Sequence, residues 1–174
     1  EIYRECGYAD REAAQSIIKE NLFGLDIDNR AYQLAYFAIM MKARSYDRKF
    51  LTRDIEPNVA AIVETNGLTR FTSDGITNDL KLNNIGDYLI KTYQDAKELG
   101  SMLTVHNHDY ITFGKYLDDC DQEGQMSIES SDWFLMTKPI VKKITKQAWI
   151  MSKLYTVVCT NPPYLNKFEG RLKK

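Results

Sequence analysis

Apolar positions recur along this chain in alternating rhythms. Ala13, Ala14, Ile17 and Ile18 share one helical face, with Asp10 placed to cap the start and Asn21 to end it. The run 22–27 predicts a short buried strand that closes on Gly24-Leu25-Asp26-Ile27-Asp28. Asp28 then serves as the N-cap of a helix over 29–44, whose Ala31, Leu34, Ala35, Ala38 and Met41 form an apolar face small enough to pack on a sheet. Pro57-Asn58 leads into a second apolar strand, 59–64, stopped by Asn66-Gly67. Helix–strand–helix–strand alternation predicts a parallel α/β sheet.

The middle of the chain leaves that rhythm. Residues 84–99 predict a helix with Ile85, Leu89, Ala96 and Leu99 inward and Gly100 as its stop. Asp109 caps a further helix carrying Phe113, Leu117 and Cys120. Ser130 or Ser131 opens a long helix with Trp133, Met136, Ile140, Ile144 and Met151 along one side, and Pro139 is expected to kink or divide it. A last apolar run, 154–159, predicts another buried strand. The helices therefore read as an insertion between sheet strands, with a flexible turn at 72–75 and no internal repeat.

Composition narrows the class. A length of 174 residues suits one core and one domain. No apolar run approaches a membrane span and no secretory signal opens the chain. The net charge of −1 gives no global field that would attract nucleic acid. Three cysteines, Cys6, Cys120 and Cys159, are odd in number and lack close metal spacing, which suits reduced thiols and a cytoplasmic location. The chain opens at Glu1 in what reads as mid-helix and stops at Lys174, just past its most informative motif, as a piece of a larger protein would.

That motif is Asn161-Pro162-Pro163-Tyr164, directly after the strand 154–159. The C-terminal edge of an open α/β sheet is where ligands bind. The Asn161 side-chain oxygen and the Pro162 carbonyl can both accept hydrogen bonds from an exocyclic amine. Neither proline carries an N–H, and each fixes φ, so the carbonyls stay aimed. Tyr164 offers a face on which a flipped-out base can stack. The competing account is a strand-ending turn, because Asn and Pro are common turn residues.

Asp26 supplies a second half-site. A carboxylate at a strand's end can accept from two adjacent ribose hydroxyls, with Ile27 pressing on a purine face. The competing account leaves Asp26 solvated beside a capping Asp28. His106 and His108 alternate, but with no third ligand they read as a loop before a helix. Lys138, Lys142, Lys143, Lys146 and Lys153 give the last helix a basic side that could touch phosphates or simply face water. Cys159 reads as a small core residue.

The segment Asn21-Leu22-Phe23-Gly24-Leu25-Asp26-Ile27-Asp28 followed by Arg30-Ala31-Tyr32-Gln33-Leu34-Ala35, and later Val158-Cys159-Thr160-Asn161-Pro162-Pro163-Tyr164, resembles the methyltransferases that modify adenine N6 in DNA. Phe37-Ala38-Ile39-Met40-Met41-Lys42-Ala43-Arg44 and Tyr164-Leu165-Asn166-Lys167 are similar to the BREX-type (PglX-like) and type IIG restriction–modification branch. The resemblance covers roughly residues 15–66 and 152–174. It implies an α/β, incomplete Rossmann-like methyltransferase core with a mainly α-helical insertion: 1–66 and 153–174 in the core, 67–152 inserted. It also implies S-adenosylmethionine as cofactor and double-stranded DNA with a flipped adenine as partner.

On that resemblance Asp26 holds the cofactor's ribose and Ile27 lies at its adenine ring. Asn161, Pro162, Pro163 and Tyr164 form the catalytic tetrapeptide, and Glu64, Thr65 or Asn66 supplies a third cofactor element, with Glu64 the chosen candidate. The family's glycine-rich first motif would lie upstream of Glu1 and its target-recognition region downstream. The piece is therefore expected to be inactive alone, and its open sheet prone to self-association. The rival reading is a non-catalytic helical interaction module in which the Asn-Pro-Pro-Tyr stretch is a structural turn.

Overall fold

Asp28 ends one element and begins the next. Its Oδ1 accepts the amide of Arg30 at 2.9 Å, satisfying an otherwise orphaned donor at the start of helix α3 (Asn29–Tyr46). In the computed structural model, residues 1–68, 71, 79–119 and 136–160 are described. The chain divides into two compact units, Glu1–Ala61 and Ile62–Lys174.

The first unit contains helices α1 (Ile2–Glu5) and α2 (Asp10–Ser16), the latter running on as a wider turn over Ile17–Asn21. Ala9, not Asp10, is the N-cap of α2, and its amide donates to Glu12 Oε2 at 3.2 Å. Strand β1 (Phe23–Asp26) pairs in parallel with β2 (Asn58–Ala61), Phe23 opposite Asn58 and Asp26 opposite Ala61. Helix α3 is the crossover between them, so this is the expected parallel α/β unit. The two strands form a 2-stranded sheet. β1 is therefore half-buried rather than buried, and β2 is shorter than the predicted 59–64. The Asn58 side-chain amide donates to the carbonyls of Ile18 at 3.2 Å and Lys19 at 2.9 Å, tying β2 to the end of α2.

The core of this unit corrects the expected packing of α3. Ala43 joins Ile18, Phe50 and Ile55, with Ile39 and Met40 packed against them. Leu34 and Phe37 remain 70% and 62% exposed, and Ala35, Ala38 and Met41 are exposed too. The helix is apolar on two nearly opposite sides, so periodicity alone could not choose between them. The presence of Ile18, Phe50 and Ile55 on the Ile39–Ala43 side decides it.

The second unit is helical. Asp79 caps α4 (Leu80–Thr92), accepting the Lys81 amide at 2.8 Å. The expected single helix 84–99 is broken: Asp95 adopts a left-handed φ of 54° before α5 (Ala96–Leu99), and Gly100, at φ 53°, ends α5 as expected. Asp109 accepts the Thr112 amide at 3.0 Å at the head of α6 (Tyr110–Asp119). Helix α7 (Lys138–Met151) begins beside Pro139, where a wider helical turn at 136–137 gives way to it, the division that the proline was expected to make. In the first turn the missing N–H would have had no helical partner anyway. Phe71, Leu89, Ile90, Tyr93, Phe113, Leu117, Val141 and Ile144 build the core. Met136, expected inward, is exposed. The turn at 72–75, Cys120, Trp133 and the openings at Ser130 and Ser131 lie outside the described residues.

Candidate functional site

Asp26 stands at the C-terminal end of β1, exposed, as the sequence led us to expect. Its Oδ1 accepts the amide of Asp28 at 2.8 Å. That two-residue turn is a local side-chain-to-backbone bond of the kind short acidic residues make. It sets the Asp26 carboxylate against the strand end while Asp28 caps α3. Among the described residues Oδ2 of Asp26 has no hydrogen-bond partner. Ile27, between the two acids, is 42% exposed. An exposed carboxylate beside an exposed branched apolar side chain fits a ribose diol joined to a purine. The seating of Asp26 by the Asp28 amide was missed in the sequence, although the Asp-Ile-Asp spacing carries the signal.

The segment after β2 spends its polar groups locally. Glu64, half-buried, accepts the Lys97 amide at the start of α5 at 3.1 Å through Oε1. Thr65 is fully buried, donating through Oγ1 to the Ile90 carbonyl at 2.6 Å and through its amide to the Tyr93 carbonyl at 3.1 Å. Asn66 Oδ1 accepts the Asp95 amide at 2.9 Å, which holds the left-handed residue in place. Of the three candidates, Thr65 is thus a core residue and Asn66 a clasp. Glu64 keeps one carboxylate oxygen outside that network.

Asn161, Pro162, Pro163 and Tyr164 lie outside the described residues. Their lead-in is described, and it corrects the expectation of a buried strand over 154–159. No strand forms there; Leu154, Val157 and Val158 are 103%, 77% and 74% exposed, and Cys159 is exposed rather than in the core. Apolar, β-branched composition predicts that a run prefers burial, but a strand also needs a ladder partner, and among the described residues none pairs with it. Tyr155 folds back, its hydroxyl donating to the Ile150 carbonyl at 2.6 Å, and its partial burial raises its pKa.

His106 and His108 are exposed in the loop before α6, where the Tyr88 ring lies 6.0 Å and 4.7 Å from theirs. Among the described residues no group of three or more His, Cys, Asp or Glu is gathered to hold a metal ion, and no helix is long and apolar enough to cross a membrane. Gln147, buried on α7, accepts the Val63 amide at 3.3 Å. Nothing in the sequence pattern marked it as a polar tie within the second unit.

Comparison with known proteins identifies the family. Adenine-specific methyltransferase PglX of Lacticaseibacillus casei (strain Zhang) is 35% identical over 182 residues, covering 100% of this chain and 14% of that protein. Adenine-specific methyltransferase BrxX of Escherichia coli O9:H4 (strain HS) is 29% identical over 197 residues, covering 99% of this chain and 16% of that protein. This chain thus spans about one seventh of the length of the curated relatives it matches. The family model for the Eco57I restriction-modification methylase matches residues 20–173, a span that includes both Asp26 and Asn161. The chain belongs to the Eco57I restriction-modification methylase family.

Proposed function

We propose that this chain is the central part of an adenine-specific DNA methyltransferase that acts in the cytoplasm in restriction–modification or phage defence. It would use S-adenosylmethionine to methylate N6 of an adenine flipped from duplex DNA. The observation that carries the reading is the exposed Asp26 carboxylate, seated by the Asp28 amide at the C-terminal end of a parallel strand, in a chain of a methylase family. Asp26 would accept from the cofactor's ribose hydroxyls, Ile27 would cover its adenine, and Glu64 would add a further contact through the oxygen that Lys97 leaves free. When bound, S-adenosylmethionine supplies the methyl group.

The remaining chemistry belongs to this chain's own residues. The lone pair on adenine N6 is delocalised into the ring, which makes the amine a poor nucleophile. The Asn161 side-chain oxygen and the Pro162 carbonyl, both acceptors, would favour a more tetrahedral nitrogen and stabilise its developing positive charge. Pro163 holds the backbone direction, and Tyr164 stacks on the flipped base, worth about 1–3 kcal/mol. In the same reading β1 and β2 belong to a Rossmann-like sheet. The unpaired sheet edge of the isolated piece then favours self-association.

The test is Asn161→Ala in the full-length protein. Methyl transfer to adenine-containing duplex DNA should be lost while calorimetric titration shows S-adenosylmethionine binding unchanged. Normal methylation by that variant would refute the assignment.

A further inference from the structure

The 24 acidic residues of this chain are spread along its length except for one gap: residues 133–168 contain none, where an even spread would place about five. The same span holds six lysines, Lys138, Lys142, Lys143, Lys146, Lys153 and Lys167, in a chain of net charge −1. Helix α7 occupies its middle. Val141, Ile144, Thr145 and Ala148 are buried; Lys142 and Lys143 are exposed on the opposite side, Lys146 and Trp149 are half-buried there with Trp149 packed against the core, and Lys153, also half-buried, lies just past the helix end. Lys138 is buried and stands apart from this face. Lys142 pairs with Asp118 of α6. The Lys153 ammonium lies 4.4 Å from the centre of the Trp149 ring, a cation–π contact.

A solvated helix face ordinarily mixes both signs, and like charges one turn apart, such as Lys143 and Lys146, repel. A helix that contributes only basic charge to its outer face suits a partner carrying regularly spaced negative charge. We propose that the outer face of α7, through Lys143, Lys146 and Lys153, lies against the phosphate backbone of the substrate duplex, with Trp149 beside the sugar–phosphate chain. This rests on the DNA methyltransferase reading above and adds to it the surface that positions the DNA. The placement is economical in chain length. Asn161 follows Met151 by ten residues, so α7 ends no more than about 35 Å of extended chain from the residue proposed to hold the adenine amine. Phosphate contacts of this type fix register on the duplex and carry no sequence information.

The experiment uses the full-length protein carrying Lys143→Gln, Lys146→Gln and Lys153→Gln together, and a second triple variant with arginine at the same positions. Affinity for a fixed duplex is measured by fluorescence anisotropy from low to moderate salt, alongside S-adenosylmethionine affinity. The glutamine variant should show a salt dependence shallower by about 0.9 in log–log slope for each phosphate that is no longer neutralised. It should also show a raised KM for DNA and an unchanged cofactor affinity. The arginine variant should keep the wild-type slope. A glutamine variant with the wild-type slope overturns the proposal. So does retention of that slope together with loss of a co-purifying acidic protein, which would assign the face to that partner. Methylation surviving Asn161→Ala sinks the catalytic reading instead, and is told apart because the DNA slope is read without turnover.

Discussion

Oδ1 of Asp26 receives the amide of Asp28 at 2.8 Å, while Oδ1 of Asp28 receives the amide of Arg30 at 2.9 Å. The acid proposed to hold ribose is therefore oriented by the residue that starts the next helix. The capping expected of Asp28 and the ribose contact proposed for Asp26 would thus be served by two carboxylates of one turn.

Substitutions at Asp26 should separate geometry from charge. Asp26→Asn keeps an oxygen that can accept the Asp28 amide, so the turn and the stability should survive. It loses the negative charge that strengthens bonds from two hydroxyls. S-adenosylmethionine affinity of the full-length protein should fall about 10- to 100-fold, the scale of a charged hydrogen bond, with an unchanged melting temperature. Calorimetric titration showing wild-type affinity would remove Asp26 from the cofactor site.

Asp28→Ala addresses the other carboxylate. Loss of an N-cap costs about 1 kcal/mol. Urea denaturation should show that loss. The Asp28 backbone amide survives the substitution, so Asp26 keeps its partner and cofactor affinity should fall less than in Asp26→Asn. A larger affinity loss at position 28 than at 26 would mean that Asp28 itself is the ligand-binding acid.

In the second unit, Gly86 is a requirement of packing. A Cβ there would lie 2.1 Å from Cγ of Phe71, a fully buried ring whose amide also donates to Asp87 Oδ1 at 2.8 Å. Gly86→Ala should therefore destabilise the chain by about 1–3 kcal/mol, although alanine favours helices in general. Phe71→Ala alone should cost about 3–5 kcal/mol. The double variant should cost less than the two together by more than about 0.5 kcal/mol, the signature of residues in contact. Additive denaturation free energies would show that Phe71 does not occupy that space.

Much of this was legible in the sequence where the deciding interaction is local. Asp28, Asp109 and Gly100 do what short-range capping chemistry assigns them, and the parallel β1–β2 pair follows from alternation of elements. What failed was non-local. The exposed Leu34 side of α3 and the buried Ile39–Ala43 side have similar periodicity, and only Ile18, Phe50 and Ile55 distinguish them. The run 154–159 has the composition of a strand, but whether it pairs depends on a partner strand that its own residues do not encode. The roles of Thr65 and Asn66 were likewise invisible, because Ile90 and Asp95, their partners, lie 25 and 29 residues away.

Asp47 makes the first unit sensitive to acid. Arg53 Nε donates to its Oδ2 at 2.6 Å, the Lys49 amide to its Oδ1 at 3.1 Å, and Gln15 Nε2 to Oδ2 at 3.3 Å. The Arg53 guanidinium foremost, with the Lys49 amide behind it, holds the carboxyl below the usual carboxylate range. A folded pKa below the unfolded value means the group stabilises the fold in full above the unfolded value, about 3.9. That contribution fades as pH falls through the lower folded value. Asp47→Asn should therefore be less stable than the parent chain at neutral pH, and the gap should narrow once pH drops below about 4. Asp10, held low by Arg4, titrates in the same region but is common to both chains and cancels in the difference. Urea midpoints compared at neutral and acidic pH check this. A gap that stays constant into strong acid would mean that Asp47 acts through shape alone, with its charge contributing nothing.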